Sequence, residues 1–470
     1  MRILPDGARL GAVAVALALL AAACGSGEAD TTAGAPADEV AAPAQDDAEA
    51  TDDAMEDDEA MEDDDAMEDE EAMEDGGRVL TVTIENIAEF PVADSGVFNT
   101  PIDGTEPGPA LPGSGYSFVV AAAPGQQLSF ATMLVQSNDW FIAPLPEGIA
   151  LYDDAGNPIS GDITDQLYVF DAGTEIDQPF GEGADQAPRQ AGPDTGADDP
   201  DNAVRIVEDR DARDYVGVIV ESLGDGLFEV TIGNDSQMAI VPSPLAPGVF
   251  AAHTPDAALF ELGAPDLGYG LEAIAEDGDA AELGEFLAGI TGTTTPLAPG
   301  AFAAHTPDVA LYELGGTDAG LGLEALAEDG DPAELVEALG GLDAVSQGGA
   351  FAIPDGADEP GPLLPGGSYS FEVHVPEGEV LSFATMFVQS NDWIFATPPE
   401  GLDPSQLDGD ISDLLLVIDP GTEIDQTPGV GADQAPRQAG PDTGADDPDT
   451  EIRLVEGRSA ERYVRVTVEG

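Results

Sequence analysis

Carboxylates are the abundant chemistry of this chain. Asp and Glu number 95 among 470 residues, against 12 basic residues that are all Arg, three His and a single Cys. The formal net charge of −83 keeps the chain self-repelling and collects cations. It excludes nucleic acid as a partner, because nothing could neutralise a run of phosphates. With no Lys, Schiff-base and P-loop lysine chemistry are excluded too. His253 and His305 occupy equivalent places in a repeated AAHTPD, and His374 stands apart. No HExxH, no GxSxG elbow and no Cys–His pair is present. The two repeated His are expected to hydrogen-bond within a turn. Acids this common do not single out a glycosidase pair. The expectation is a protein that is not an enzyme.

The single Cys has a telling position. Arg2 and Arg9 precede an apolar run from Leu10 to Leu20, and Ala21, Ala22 and Ala23 lead to Cys24. That pattern fits a secretory signal better than a membrane span. LAAAC resembles a bacterial lipobox, although Ala21 stands where Leu is usual. The resemblance implies a signal peptide over 1–23, cleavage before Cys24 and lipidation of Cys24. The mature protein would be secreted and lipid-anchored to the outer face of a bacterial membrane.

Residues 24–77 read as an acidic, low-complexity tether. Between Gly25 and Gly77 there are 23 acids and no base, and DDAMED, DEAMED, DDAMED and EEAMED follow one another from Asp52 to Asp75. A period of six suits neither a helical face nor a strand, and dense like charge predicts a disordered, solvated spacer. Fully stretched it would reach at most roughly 175–190 Å.

The remainder repeats itself. QQLSFATMLVQSNDWF (Gln126 to Phe141) returns as EVLSFATMFVQSNDWI (Glu379 to Ile394), and DAGTEIDQ (Asp171 to Gln178) as DPGTEIDQ (Asp419 to Gln426). GADQAPRQAGPDTGADDPD is identical at Gly183 to Asp201 and Gly431 to Asp449. Both copies open on an alternating strand, VLTVTIEN and LFEVTIGN. Contiguous reading gives a shortened domain over 78–224 and a longer one over 225–470. A shorter unit, PLAPGVFAAHTPDAALFELG (Pro244 to Gly263), recurs 52 residues later as PLAPGAFAAHTPDVALYELG (Pro296 to Gly315). Both units fall inside the second domain on this reading, as a duplicated, partly helical insertion.

Short β-rich runs bounded by Gly, Pro, Asp and Asn recur throughout, among them YSFVVAA, LSFATMLV, QLYVF and YVGVIV. GLEALAEDGDPAELVEAL reads as helical, with Leu323, Leu326, Leu335 and Leu339 near helical spacing around a Gly-Asp break. With 57 Gly and 38 Pro, the fold class is all-β: two tandem antiparallel β-sandwiches behind the tether.

FATMLVQSNDWFI followed by YVFDAGTEID, present twice in the same order, resembles the spondin N-terminal domain family of extracellular-matrix and bacterial secreted proteins. The PLAPGVFAAHTPDAALFELG…LAEDGD segment resembles bacterial members. The resemblance spans nearly everything from Val79 to Gly470. It implies a β-sandwich with a calcium site near one edge. Its ligands would be Asp139, Asp171 and Glu175 in the first copy and Asp392, Asp419 and Glu423 in the second, with Asp177 and Asp425 as further candidates. Six to eight oxygens from loop carboxylates and carbonyls suit Ca2+. The competing role for Asp139 and Asp171 is turn capping through backbone N–H groups. Glu175 and Glu423 replace the family's usual Asp, and Pro420 replaces Ala. Trp140 and Trp393 are expected to pack at an edge or in the core, and Arg189 and Arg437 to pair with nearby carboxylates.

The expected function is a lipid-anchored, calcium-binding surface protein that mediates adhesion or contact with an extracellular protein or glycan. The alternative is a structural spacer without a specific ligand, its acidity serving solubility in salt.

Overall fold

The computed structural model describes residues 76–470. The signal segment, Cys24 and nearly all of the tether lie outside them. No helix among the described residues is long and apolar enough to cross a membrane.

In chain order, β1 (Arg78–Asn86), β2 (Val92–Phe98), β3 (Gly115–Ala121), β4 (Gln127–Leu134) and β5 (Trp140–Pro144) come first. The short β6 (Ile149–Ala150) and β7 (Gly161–Asp162) precede β8 (Leu167–Asp171) and β9 (Arg205–Ile206). Next are β10 (Val216–Gly224), β11 (Leu227–Asn234) and β12 (Leu245–His253), then α1 (Leu271–Asp277) and α2 (Ala281–Ile290). A second strand–helix–helix unit follows as β13 (Leu297–His305), α3 (Leu323–Asp329) and α4 (Ala333–Gly340). It leads to β14 (Val345–Phe351), β15 (Ser368–Val375), β16 (Val380–Phe387), β17 (Ile394–Ala396) and β18 (Gly409–Asp410). The last strands are β19 (Leu416–Asp419), β20 (Arg453–Leu454) and β21 (Val464–Glu469).

The strands form four antiparallel sheets that make two sandwiches of one design. The first pairs β3-β11-β10-β7 with β2-β12-β4-β5-β8-β9, and the second pairs β15-β1-β21-β18 with β14-β13-β16-β17-β19-β20. Alternation explains the smaller sheets: Leu80, Val82 and Ile84 of β1 are buried while their neighbours face outward. In the larger sheets, β4 and β16 bury nearly every residue, because one face meets the opposing sheet and the other meets helices. Leu271, Ile274, Leu283 and Leu287 of α1 and α2 pack with Phe141, Phe170 and Phe260. Leu323, Leu326, Leu335 and Leu339 do the same in the second sandwich. Each helix pair breaks at a glycine with positive φ, Gly278 and Gly330, which an L side chain would strain.

Strand pairing corrects the contiguous domain boundaries. β1 lies between β15 and β21, whereas β11 lies between β3 and β10. The opening strand of the 78–224 segment therefore completes the second sandwich, and the opening strand of the 225–470 segment completes the first. β12 pairs with β2 and β4, and β13 with β14 and β16. The two units of the duplication are thus one to each sandwich, not a double insertion in one. By pairing, the first sandwich spans about 92–290 and is nested inside the second, which comprises 78–86 and 297–470. Sequence similarity tells which segments are alike; the sheet decides which are partners. Two crossings join the sandwiches, and they run side by side. Gly292 N donates to Val92 O at 2.9 Å, and Phe90 N to Thr294 Oγ1 at 2.9 Å.

Candidate metal centre

The tight turn between β4 and β5 and the loop after β8 build the site together. Ser137 folds the turn: its Oγ donates to Leu134 O at 2.6 Å and accepts from Trp140 N at 3.0 Å. That places Asp139, fully buried, beside the end of β8, where Trp140 and Asp171 are cross-strand partners. Gly173, at φ +72°, then turns the chain where a Cβ would lie 2.7 Å from Ala203 O. Thr174 N and Glu175 N donate to Asp139 Oδ2 at 2.8 and 3.1 Å. Gly173 N donates to Asp171 Oδ1 at 2.7 Å.

Carboxylate oxygens of Asp139, Asp171 and Asp177 come within 4.8 Å of one another. Arg205 on β9 pairs with Asp171 at 2.8 Å and with Asp199 at 2.9 Å. Trp140 Nε1 donates to Asp177 at 2.9 Å. Asp139 Oδ1 is buried without a hydrogen-bond partner, an arrangement that costs free energy unless something positive or protic meets it. Burial pushes the Asp139 carboxyl up to about 6 against the backbone N–H bonds from Glu175 and Thr174. Burial, then the charges of Asp139 and Asp177, raise Asp171, with Arg205 opposing.

The second copy reproduces the backbone bonds, the ion pair and the orphaned oxygen, while the close approach of three Asp carboxylates is found in the first copy. Thr422 N and Glu423 N donate to Asp392 Oδ2 at 2.8 and 3.1 Å, Asp392 Oδ1 is again unpartnered, and Arg453 pairs with Asp419 at 2.6 Å. Burial and the charges of Asp419 and Asp392 raise Asp425 to about 7. Trp393 Nε1 does not make the well-formed hydrogen bond that Trp140 gives Asp177, although the indole still faces Asp425 and opposes the rise of its carboxyl.

Glu175 and Glu423 have other partners. Glu175 Oε2 accepts from Asn138 Nδ2 at 2.9 Å and Oε1 from Gly196 N at 2.6 Å. Glu423 accepts from Asn391 and Gly444 at 3.1 and 2.7 Å. These carboxylates latch the long identical loops onto the sandwich rather than join the Asp cluster. Gly196 is required there, since a Cβ would lie 2.0 Å from the Glu175 carboxyl carbon. Arg189 also departs from expectation, donating to Gly183 O at 2.5 Å and Gln136 Oε1 at 2.9 Å instead of to a carboxylate.

A second acidic group stands on the other side of each loop. It comprises Asp194, Glu272 and Glu276 in the first sandwich and Asp442, Glu324 and Glu328 in the second. Burial pushes Glu276 and Glu328 up to about 8. The second group borders a cavity of about 560 Å³ with Thr422, Asp446 and Asp447. Sequence reading missed these groups, although LEAIAEDGD and LEALAEDGD each pair a helix Glu with the duplicated loop. Several buried acidic clusters of this protein can therefore hold a metal ion.

The repeated His are buried and engaged. His253 meets Thr254 O at 2.7 Å and Ser129 Oγ at 2.8 Å, and His305 meets Thr306 O and Ser382 Oγ at 2.9 and 2.8 Å. Since β12 belongs to the first sandwich, each sandwich owns one such His, where the contiguous reading gave the first none. Both Trp are buried. No protein-family model matches the chain, and no curated protein matches it.

Proposed function

We propose that this protein is a non-catalytic surface protein, lipid-anchored at Cys24, whose two spondin-like sandwiches bind Ca2+ and contact an extracellular protein or glycan. The observation that carries the cation is the buried, unpartnered Oδ1 of Asp139 within a group of three carboxylates; Asp392 repeats the unpartnered oxygen. Three carboxylates facing one guanidinium leave excess negative charge. An all-oxygen donor set without His or Cys favours a hard cation. Exposed Asp177 leaves room for water to complete a coordination number of six to eight, as Ca2+ requires. In the first copy Asp139, Asp171 and Asp177 would hold the ion, and in the second Asp392, Asp419 and Asp425. A bound ion would also tie the turn after β4 to the loop after β8, and so stiffen the edge that offers the long loops to a partner.

Calorimetric titration with Ca2+ in high sodium chloride, which screens the diffuse ion cloud, tests the reading. About two saturable sites are expected, accompanied by a raised melting temperature and lost in a D139N/D392N double variant. Heat that is unsaturable, suppressed by salt and indifferent to the substitutions would overturn it in favour of a spacer without a specific ligand.

A further inference from the structure

One of the differences between the two sandwiches lies where a cavity opens. In the first, Phe180 stacks on Trp140 at 5.3 Å between centroids and 11° between planes. Arg210 lies 5.6 Å from the Trp140 ring and 5.7 Å from the Phe180 ring. The position equivalent to Phe180 in the second sandwich is Pro428, and that equivalent to Asp214 is Arg462. An aromatic ring has been removed and an acid replaced by a base.

Pro428, Arg458 and Arg462 line a cavity of about 520 Å³ at the seam between the sandwiches, closed on other sides by Phe90, Val119 and Thr293. That volume suits a small organic ligand. Arg458 sits 5.3 Å from the Trp393 ring centroid and donates to Tyr463 Oη at 2.5 Å. Arg462 lies over Phe90 at 5.2 Å and donates to Gly289 O and Thr291 O, both at 2.9 Å. Among the described residues neither guanidinium has a carboxylate within ion-pair distance. In so acidic a chain that is unexpected, and both retain free N–H donors. The one carboxylate in the cavity, Asp94, is already bonded by Ala121 N at 2.7 Å.

We propose that this seam cavity binds an aromatic carboxylate. The ligand's ring takes the place that Phe180 fills in the first sandwich, and its carboxylate meets Arg458 and Arg462. Guanidinium–carboxylate pairing supplies direction; Arg458 is half-buried and Arg462 exposed, so the Arg458 arm is the less screened of the two. The chemistry is shared by free aryl acids and by the terminal residue of a peptide ending in Phe or Tyr.

Titration of the full chain with phenylacetate, with a short peptide ending in Phe, and with their amides tests the proposal by calorimetry. At least one acid should bind saturably at one site per chain, with the corresponding amide at least about tenfold weaker. Saturation by phenylacetate identifies a free acid as the ligand; saturation by the peptide alone identifies a chain terminus. Arg462→Asp, which restores the residue of the first sandwich, should weaken binding about tenfold or more. Pro428→Phe should abolish it by filling the ring position, and an unchanged cooperative melt shows that both variants fold. No saturable binding of either acid, or equal binding of acid and amide, overturns the proposal. So does unchanged affinity in both variants.

Discussion

Asp139 and Glu175 show how two buried carboxylates a few residues apart in space take different work. Glu175 has both oxygens bonded, to Asn138 and Gly196, so its charge is spent on loop docking. Removing it leaves those donors unsatisfied and frees the loop. Glu175→Ala is therefore expected to cost about 2 kcal/mol, read in urea melts, while leaving the number of calcium sites unchanged. Asp139 is held by two backbone N–H groups on one oxygen and by nothing on the other. Its folded pKa, pushed up to about 6 by burial, lies above the ordinary carboxylate value near 4. The native state therefore binds the proton more tightly than the unfolded chain, and the contribution to stability falls as pH rises from about 4 through about 6. In chelator, Asp139→Asn should match the wild type at low pH and exceed it by roughly 3 kcal/mol at pH 8. Saturating Ca2+ should reverse the order at pH 8, because only the wild type gains the ion. Denaturant melts of both proteins at the two pH values check the sign, and a pH-independent difference would remove the burial argument.

At the scale of elements, most of the fold was legible. The alternation in VLTVTIEN and LFEVTIGN marks half-buried strands, and Leu323, Leu326, Leu335 and Leu339 mark the helical face that packs on the larger sheet. Asp139 and Asp171 were legible as neighbours because each sits where a strand run ends. Asp177 ranked second only because its tie to the cluster runs through the Trp140 indole, a contact that no spacing reveals. The engagement of Glu175 with Gly196 was not legible for the same reason, since Gly196 lies in a loop whose path the sequence does not encode locally. Ownership of the duplicated units was not legible either. α2 packs on β2 and β12, and α4 on β13 and β14, a choice made by tertiary contact between segments of nearly identical sequence. Leu283 and Leu335 are equivalent and buried, so each leucine reports on its own sandwich. Leu283→Ala should destabilise the first sandwich and Leu335→Ala the second, each by about 3 kcal/mol. Hydrogen exchange resolved by peptide separates the two cases. Loss of protection in β13 and β16 on Leu283→Ala would contradict the pairing.

Nesting governs the behaviour of the whole molecule. The first sandwich uses one uninterrupted stretch of chain, whereas the second is assembled from two stretches separated by roughly two hundred residues, so its loop-closure cost is larger. β1 is its key piece. It bonds to β15 on one side and β21 on the other, and without it Tyr369, Val373 and Val466 of the core lose the strand between them. Whatever precedes residue 76 in the chain therefore attaches to the second sandwich, not to the one that follows it in sequence. A fragment spanning 90–294 contains every strand and helix of the first sandwich and is expected to unfold cooperatively on its own. A fragment spanning 227–470, the natural domain on contiguous reading, lacks β1 and carries β11 and β12 without their partners. It is expected to fail to fold, exposing two orphan strands with open edges. Adding a peptide of 76–90 in trans would supply β15 and β21 with their missing neighbour but leave β11 and β12 orphaned. Only a 295–470 fragment, free of those strands, should be rescued by that peptide, with recovery of cooperative melting as the readout. Folding of 227–470 alone would mean that β11 can take the place of β1, a strand exchange that their shared sequence pattern makes the sharpest competitor to the nested arrangement.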